Sequence, residues 1–348
     1  MEAARLDSLL NRFSSQRVLV IGDFFLDKYL IIDRQLSETS LETGLEAYQV
    51  VDIRCSPGAA GTVVSNLRSL GVNVTTLGVI GDDGQGYELK RGLQEGGSDT
   101  AYLIETPSRF TPTYTKPIVL EPAGAAHEIE RLDIKNRQLL PSEMEDAIID
   151  SLRKLLPQVQ GVVIGDQVQE ANCGVITDRV RSAISDFALH NPEVIFIADS
   201  RARIGLLRNV MIKPNAKEAL HAIYPEQQAK PSLAQVKQIG RQLYARNRKP
   251  VFMTMGEEGI LLFSHEDCQH IPAVPVSGEI DIVGAGDSCI AGIVSALCSG
   301  AELLEAAWLG NVVASITIQQ IGTTGTANPS QIRARFQQIS SGNDIGDL

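Results

Sequence analysis

Short apolar runs and longer amphipathic stretches alternate along most of this chain. The runs have strand length and many β-branched residues, at 17–23, 72–80, 161–164, 194–198, 210–212, 251–255 and 260–263. They are separated by stretches with apolar positions at helical spacing, at 57–70, 142–156, 175–190, 232–246 and 285–298. Because apolar strands alternating with helices are typical of a parallel sheet covered on both faces, the pattern predicts a mainly parallel, three-layer α/β/α fold. No repeat or linker divides the chain, so we predict one domain over residues 1–348.

Two segments interrupt this alternation and predict a small accessory sheet. Residues 27–56 alternate loosely and carry charge around a loop at 37–44. Residues 110–135 are strand-like but contain Pro112 and Pro117, which suit edge strands better than the middle of a sheet. We therefore predict insertions at about 27–56 and 110–135 that form a β-sheet lid.

Two helix starts carry the sequence of a capping box, in which a hydroxyl residue and a Glu or Gln three positions later exchange hydrogen bonds with the backbone. They are Ser142 with Glu145 and Ser232 with Gln235. Gly71 is placed to end the helix at 57–70, since glycine readily adopts the left-handed conformation found just beyond a helix.

The stretch at 281–288 combines a buried-looking segment, a tight turn and a helix start. Residues 280–283 are mostly β-branched and are predicted to end a buried segment, and 289–298 are predicted to form a buried helix. The turn between them consists of Gly284, Ala285 and Gly286. Small residues at a helix N-terminus let backbone N–H groups approach an anion, and the helix dipole favours negative charge there.

Asp287 follows this turn and enters on the first turn of the helix. An anion cradle beside a carboxylate suits transfer of a phosphoryl group to a hydroxyl, with the carboxylate accepting the hydroxyl proton. The alternative is that Asp287 only caps the helix, because Asp is a favoured residue at that position.

Composition excludes several classes of function. The formal net charge is −11 and no run of Lys or Arg stands out, which argues against nucleic acid or an anionic membrane surface as a partner. No apolar stretch reaches the length of a membrane span, and residues 1–13 have the pattern of an amphipathic packing helix, not of a signal peptide. Five scattered cysteines without a C-x-x-C pair, and histidines without metal-binding spacing, predict a reducing cytoplasm and no zinc site.

Two common nucleotide fingerprints are absent from the sequence. It has no G-x-x-x-x-G-K-[ST], so a Walker-type phosphate loop is excluded. It also has no G-x-G-x-x-G after the first strand, which disfavours a dinucleotide-dependent dehydrogenase.

The motifs that are present resemble those of the ribokinase-like (PfkB) carbohydrate kinase family, in the same order along nearly the whole chain. Residues 281–294, DIVGAGDSCIAGIV, match the C-terminal signature of that family. The resemblance implies that Asp287 is the general base and that the N–H groups of Gly284, Ala285 and Gly286 stabilise the transferring phosphoryl group. It also implies ATP and Mg²⁺ as cofactors and leaves the need for a monovalent cation open.

Three further motifs carry the resemblance on the nucleotide side. The T-x-G-x-x-G turn, which lies against the nucleotide in the family, matches Thr254, Gly256 and Gly259. The N-x-x-E motif matches Asn215 and Glu218, and implies that Glu218 orders water around magnesium while Asn215 lies near the phosphates. A helix asparagine near the adenine matches Asn311. Taken singly, these residues would equally suit a hairpin, a helix cap and a buried helix Asn.

Within the family, the chain is most similar to heptose-7-phosphate kinases, the kinase half of a bifunctional kinase/adenylyltransferase. The similarity rests on 18–29 (VLVIGDFFLDKY), 131–133 (RLD) and 310–326 (GNVVASITIQQIGTTGT). It implies substrate-binding roles for Asp27, Gly58, Ala59, Thr62, Lys116 and Arg131. The H-x-G-H of the adenylyltransferase half is absent, so we expect the kinase half alone.

Departures from the family are concentrated on the sugar side. The family has Gly-Gly and then a sugar-binding Asn where this chain has Gly58-Ala59 and Thr62. The heptose kinases have Ser-Asp-Tyr-x-Lys-Gly where this chain has GDQVQE at 165–170, and the lid at 37–47 is also unlike theirs. The residues matched to phosphate binding agree with the family motifs, whereas the residues matched to sugar binding differ from them.

The combined interpretation is an ATP-dependent carbohydrate kinase that transfers the γ-phosphoryl group to a hydroxyl of a sugar or sugar phosphate. The alternatives are a kinase of a neutral sugar such as fructose or ribose, or a catalytically silent sugar- or nucleotide-binding regulator on the same scaffold. We also expect a homodimer formed through the lid, because an exposed apolar patch usually marks an interface. The residues predicted to form that patch are Phe24, Phe25, Tyr29, Leu30, Ile31 and Ile32.

Overall fold

The apolar runs become the strands of a central sheet in a computed structural model, which describes residues 1–121, 126–227, 229, 231–265 and 267–341. In this part of the chain the strands are β1 (Arg17–Gly22), β2 (Phe24–Asp33), β3 (Glu38–Thr39), β4 (Glu46–Ala47), β5 (Val50–Ala59), β6 (Asn73–Gly81), β7 (Asp99–Thr106), β8 (Thr113–Leu120), β9 (Ala126–Glu128), β10 (Leu132–Ile134), β11 (Gly161–Asp166), β12 (Ile195–Ser200), β13 (Met211–Ile212), β14 (Val251–Thr254), β15 (Ile260–Ser264) and β16 (Asp267–Ile271). The helices are α1 (Ala3–Leu10), α2 (Ala60–Ser69), α3 (Gly84–Glu95), α4 (Ser142–Leu155), α5 (Asp178–His190), α6 (Ala216–Ile223), α7 (Leu233–Asn247), α8 (Ala285–Cys298), α9 (Leu303–Thr317) and α10 (Pro329–Ser341).

The main sheet has the strand order β16-β15-β14-β13-β12-β11-β1-β6-β7. Neighbouring strands from β14 to β7 pair in parallel, and β15 and β16 complete one edge as antiparallel strands. Parallel pairing places the carboxyl ends of β1, β11, β12 and β13 along the same edge of the sheet, where ligands bind in open α/β folds.

Helices cover both faces of this sheet, and the side chains of β1 show the division. Val18 and Val20 pack into one apolar cluster with residues of α2, α8 and α9, whereas Leu19 and Ile21 pack into a second cluster with residues of α4, α5 and α7. The predicted three-layer α/β/α architecture is therefore confirmed. Among the described residues, no helix is both long and apolar enough to cross a membrane.

A smaller sheet stands apart from the main one, as predicted for the lid. It has the order β10-β8-β2-β5, with β9 paired to β8, and β3 and β4 form a separate hairpin. Its strands come from the two segments that interrupt the α/β alternation. The first of them begins earlier than predicted, at Phe24 in β2 and not at residue 27. Residues 122–125 of the second predicted insertion lie outside the described residues.

The two sheets are joined through Gly22 and Asp23, since β1 ends at Gly22 and β2 begins one residue later. A side chain at Gly22 would place its Cβ 2.2 Å from the carbonyl oxygen of Gly165, so only glycine fits this crossing of β1 and β11. The Asp23 carboxylate accepts backbone N–H bonds from Gln167, Val168 and Val175, which ties the junction to the loop that follows β11.

Two local predictions are wrong. Residues 280–283 do not end a buried segment, because Ile282 is 71% exposed and Val283 is 61% exposed. The predicted capping box at Ser142 does not form: Pro141 is the N-cap and Glu145 instead accepts a hydrogen bond from the Thr177 hydroxyl. The second predicted capping box, at the start of α7, is present.

The predicted apolar patch of the lid is also largely wrong. Phe24 and Phe25 are 1% and 4% exposed, and Ile31 and Ile32 are buried as well. The reason is topological, because β2 is not an edge strand but lies between β8 and β5 and packs against the body of the protein.

Ala59 has a backbone conformation that normally requires glycine. It has φ 53° and ψ −120° immediately before α2, where the family has the second residue of its Gly-Gly pair. An alanine at positive φ is strained, typically by about 1–3 kcal/mol.

We expect Ala59→Gly to raise the free energy of unfolding by about 1 kcal/mol, because glycine removes the strain at some cost in unfolded-state entropy. Thermal or urea unfolding measures this change. Ala245→Gly, on the exposed face of α7, is the matched control and should lower stability by about 0.5–1 kcal/mol. A loss of similar size in both variants would show that Ala59 is unstrained.

Candidate active site

The turn that we predict to bind an anion lies at the N-terminus of α8, at the carboxyl edge of the main sheet. Gly284 is the N-cap residue and has φ 79°, so its left-handed backbone turns the chain into the helix. The Ala285 N–H donates to the Ile282 carbonyl at 3.2 Å, which corrects the prediction that all three N–H groups of the turn face an anion. The N–H groups of Gly286 and Asp287 lie in the first turn, where a helix offers them no carbonyl partner.

Asp287 is the third residue of α8 and does not cap it, so the alternative interpretation of this residue as an N-cap is wrong. Burial raises the pKa of the Asp287 carboxyl to about 7, and the negative charges of Asp199 and Glu218 act in the same direction. The positive charges of Lys213 and Arg201 oppose this shift. A carboxyl group with a pKa near neutrality is well suited to accept a proton during catalysis.

A buried lysine lies beside the anion-binding turn and was not assigned a role from the sequence. Lys213 follows β13 and is 2% exposed, and its Nζ lies 3.2 Å from Oδ2 of Asp199. Burial lowers the pKa of Lys213, but the negative charges around it, led by Asp199 and including Glu218 and Asp287, together outweigh this effect, and the pKa lies above its ordinary value. A Cβ on Gly286 would lie 3.3 Å from Nζ, so the ammonium group is adjacent to the turn that would receive a phosphate.

The predicted pair Asn215 and Glu218 begins α6 and forms a complete capping box. The Asn215 side chain accepts the Glu218 N–H at 2.8 Å, and Glu218 accepts the Asn215 N–H at 2.8 Å. Burial and then the charge of Asp199 raise the pKa of Glu218. The pair therefore has the helix-cap role that the sequence left open, and it also lines a large cavity.

Magnesium fits this site as an ion held mainly through water and phosphate. No group of three His, Cys, Asp or Glu side chains in the described residues is arranged to hold a metal directly. The carboxylates of Glu218, Asp199 and Asp287 nevertheless face the same cavity, and oxygen ligands with retained water suit Mg²⁺. The contact of Glu218 with the metal through water stays a prediction.

The larger of two neighbouring cavities has a volume of about 910 Å³ and contains every residue predicted for the nucleotide. Thr254, Gly256 and Gly259 form the hairpin between β14 and β15, and both glycines have positive φ. Asn311 lines the same cavity, but its amide also donates to the carbonyls of Ile271 and Pro272 and so holds one wall in place.

The exposed apolar residues before α8 belong to this cavity. Ile280, Ile282 and Val283 line it together with Ala273, Val274, Pro275 and Val276. Apolar side chains that flank a few polar groups are typical of a small-molecule site, which explains why this segment is exposed.

The second cavity, of about 500 Å³, lies between the lid and the main sheet. Of the residues predicted for the sugar, Asp27, Ala59, Thr62, Lys116 and Arg131 line it. Gly58 does not line the cavity. It pairs with β2 beneath the Asp27 carboxylate, where a Cβ would approach Oδ2 to 2.6 Å, so its lack of a side chain leaves room for Asp27.

The two lid cations in this cavity are already paired with carboxylates. Lys116 Nζ lies 3.0 Å from Asp27 Oδ1, and Arg131 makes two hydrogen bonds to Asp133 at 2.6 and 2.8 Å. Lys135 also lines the cavity, and among the described residues no carboxylate is within ion-pair distance of it. On the lid side of the cavity, the positive charge that could bind an anionic ligand is therefore mainly that of Lys135.

The wall opposite the lid is the loop after β11, with Gln167, Val168, Gln169 and Glu170. Two buried charged groups hold this loop. Asp23 accepts N–H bonds from it, and Arg203 bonds the Asp166 carboxylate and the Gln169 carbonyl. Burial raises the pKa of Asp23 to about 6 despite its N–H donors.

The two cavities meet at Gly284, Val283 and Asp287, and two further residues line both of them, Gln167 and Arg201. Four residues that line these cavities were not predicted from the sequence: Arg201, Gln167, Lys213 and Thr324. Arg201 and Lys213 each follow the carboxyl end of a strand of the parallel sheet, and a charged residue at such a position is the signal that could have identified them.

Solved structures of other proteins define the fold class of this chain. The chain superposes on ribokinase from Arabidopsis thaliana, complexed with ribose and ATP, with a TM-score of 0.66 over 92% of this chain and 99% of that one, at 16% identity. Phosphofructokinase-2 from Escherichia coli, in complex with potassium, gives a TM-score of 0.69 over 93% and 99% at 19% identity. The fold is therefore that of the ribokinase-like α/β proteins.

The particular family follows from the sequence match. Residues 17–331 match the family described as "pfkB family carbohydrate kinase", and this chain belongs to that family. It is 30% identical over 336 residues to bifunctional protein HldE of Trichlorobacter lovleyi, and 31% identical over 336 residues to that of Citrifermentans bemidjiense. These alignments cover 96% of this chain but 65% and 66% of the two relatives, so the chain spans just under two thirds of their length.

We expect the pH dependence of kcat/KM to show an acidic limb centred near pH 7, where Asp287 loses its proton. The pKa of this group is raised, so the carboxyl is almost fully ionised well above pH 7 and can accept a proton. Below pH 7 the ionised fraction, and the rate with it, falls about tenfold for each pH unit. Steady-state measurement of kcat/KM at a series of pH values locates the midpoint of this limb. Asp150→Asn, at an exposed ion pair of α4, should leave it in place. A limb centred below pH 5 would show that Asp287 is not the titrating base.

Proposed function

We propose that this chain is an ATP-dependent, Mg²⁺-requiring kinase that transfers the γ-phosphoryl group to a hydroxyl of a sugar or sugar phosphate. The observation that carries the proposal is that a nucleotide-sized cavity and a sugar-sized cavity meet at Asp287 and Gly284. Membership of the pfkB family and the similarity to HldE support it.

The residues of the chain divide the reaction between them. Asp287 accepts the proton of the attacking hydroxyl, and the N–H groups of Gly286 and Asp287 stabilise charge on the transferring phosphoryl group together with Lys213. Mg²⁺, when bound near Glu218 through water, supplies neutralising charge to the β- and γ-phosphates. Closure of the lid over the acceptor excludes water, which would otherwise compete as the acceptor.

The acceptor side supports a sugar phosphate in preference to the neutral sugar. Asp27 and the glutamines of the opposite wall offer hydrogen-bond partners for hydroxyl groups, and Lys135 offers a charge without a carboxylate partner among the described residues. Lys116 and Arg131 contribute less net charge than the sequence suggested, since each is paired with an aspartate.

The test is a screen of ATP turnover against sugars and their phosphates, including heptose 7-phosphate, ribose, fructose and fructose 6-phosphate. We expect turnover with at least one phosphorylated sugar and slower turnover with its neutral counterpart.

Asp287→Asn should lower kcat by roughly 10²-fold or more while ATP affinity stays within a few-fold, because the asparagine side chain keeps the shape of the aspartate but accepts no proton.

Two other functions make different predictions in the same screen. A neutral-sugar kinase would turn over ribose or fructose faster than any phosphorylated sugar. A silent regulator would bind ATP or sugar without turnover, and Asp287→Asn would then change nothing that is measured. The desolvated Asp287 beside an open anion-binding turn favours the kinase over the regulator.

We further propose that the kinase works in the cytoplasm as a homodimer joined through its lid. The five cysteines are free, which suits a reducing compartment. The apolar surface of the lid is on β5 and the segment before it, where Leu41, Leu45, Val51 and Ile53 are more than half exposed. β5 is also an edge strand of the lid sheet, so its outer side is open to another chain.

Light scattering at micromolar concentration should report a dimer, and Leu45→Asp with Ile53→Asp should convert it to a monomer by placing charges in the apolar contact. Leu189→Asp is the matched control, because Leu189 is 59% exposed and lies on α5, outside the lid sheet. A monomeric wild-type protein, or equal dissociation in all variants, would contradict the assignment of the interface.

A further inference from the structure

Arg201 occupies the junction between the two cavities. It is the first residue after β12, its side chain is exposed, and it lines both the nucleotide cavity and the sugar cavity. Among the described residues, Arg201 is the one cationic side chain that lines both cavities. A group that passes from one cavity to the other must pass through this junction, which also contains Asp287 and Gly284.

A single hydrogen bond orients the Arg201 side chain. Its Nε donates to Oε1 of Gln167 at 2.8 Å, and its backbone N–H donates to the Asp166 carbonyl at 3.0 Å. Gln167 is itself held, because its own backbone N–H donates to the buried Asp23. The guanidinium is thus anchored at Nε while its terminal nitrogens are left for a ligand.

The charge of Arg201 acts on both sides of the junction. Burial is the main influence on the pKa of Asp287 and of Tyr114, and in both groups the Arg201 charge opposes it. Asp287 faces the site of transfer and Tyr114 lines the sugar cavity. The guanidinium therefore lies within electrostatic range of both.

Most other cations of the site are committed to carboxylates, and the exception among the described residues, Lys135, lines only the cavity on the lid side. Lys213 pairs with Asp199, Lys116 with Asp27 and Arg203 with Asp166. In the described part of the chain, no carboxylate lies within ion-pair distance of Arg201. Its donors are free to bind an anion at the junction, and a planar guanidinium matches phosphate oxygens well.

We propose that Arg201 is a catalytic residue that contacts the transferring phosphoryl group, with Gln167 as its positioning residue. The inference rests on the proposed kinase function. In the step, the acceptor hydroxyl oxygen bonds to the γ-phosphorus and its proton passes to Asp287. The bond from the γ-phosphorus to the bridging oxygen breaks, and ADP leaves with that oxygen and its electron pair. Arg201 donates N–H bonds to the equatorial oxygens, where charge accumulates in the transition state.

The experiment compares Arg201→Ala, Arg201→Lys and Gln167→Ala with the wild type. We expect Arg201→Ala to lower kcat by about 10² to 10³ with KM for ATP changed only a few-fold, because the contact is made mainly in the transition state. Arg201→Lys should retain part of the rate, and added guanidinium should partly rescue Arg201→Ala. Gln167→Ala should lower kcat less than Arg201→Ala does. Arg246→Ala, on an exposed face of α7, is the matched control and should be unchanged.

A binding measurement provides a second readout. Calorimetry with ADP, Mg²⁺ and the acceptor should show tighter binding when aluminium fluoride is added, since the complex imitates the transferring phosphoryl group. Arg201→Ala should lose this tightening while keeping its affinity for ADP. Retained tightening with kcat near that of the wild type would overturn the proposal.

Two further outcomes are distinguishable. If Arg201→Ala raises only the KM of the acceptor, Arg201 binds the acceptor and the catalytic assignment is wrong. If the wild type neither transfers phosphate to any acceptor nor tightens with aluminium fluoride, the proposed kinase function fails, and the assignment of Arg201 fails with it.

Discussion

The site is organised by a buried ammonium group, that of Lys213, among three desolvated carboxyl groups. Asp199 pairs with it directly, and Glu218 and Asp287 act on it through their charges. Burial of carboxylates is costly unless they are balanced, and a single lysine balances only part of the charge. The pKa values of Glu218 and Asp287 are therefore raised, and the site retains a capacity for added positive charge. A divalent cation would supply that charge, and its binding would lower the pKa values of the neighbouring carboxyl groups.

The carboxyl edge of the parallel sheet brings these groups together. Asp199 lies near the end of β12, Lys213 follows β13 and Asp287 lies in the first turn of α8, so three separate segments supply one cluster. Parallel neighbours end at the same edge, and the register of β12 with β13 sets their offset. The geometry of this cluster is thus set by strand register and depends on the apolar cores on the two faces of the sheet.

The lid is attached to this framework at one buried point. Asp23 separates the two sheets and also holds the loop that forms the far wall of the cavity between the lid and the main sheet. The same carboxylate therefore fixes the start of the lid and the wall opposite to it. Because Arg203 also bonds this loop, the shape of the cavity is determined by buried polar contacts and not by the lid alone.

The sequence by itself determined the α/β alternation, the lid segments and the position of Asp287, because apolar periodicity and helix-start signals are local. It could not show that β2 lies inside the lid sheet, so Phe24 and Phe25 were wrongly predicted to be exposed. Nor could it show that Ile282 and Val283 line a cavity, since an apolar run looks the same in a core and in a binding site. Arg201 and Lys213 acquire a role only from segments distant in the chain. Burial, charge balance and the meeting of two cavities are long-range properties, and only the tertiary structure decided them.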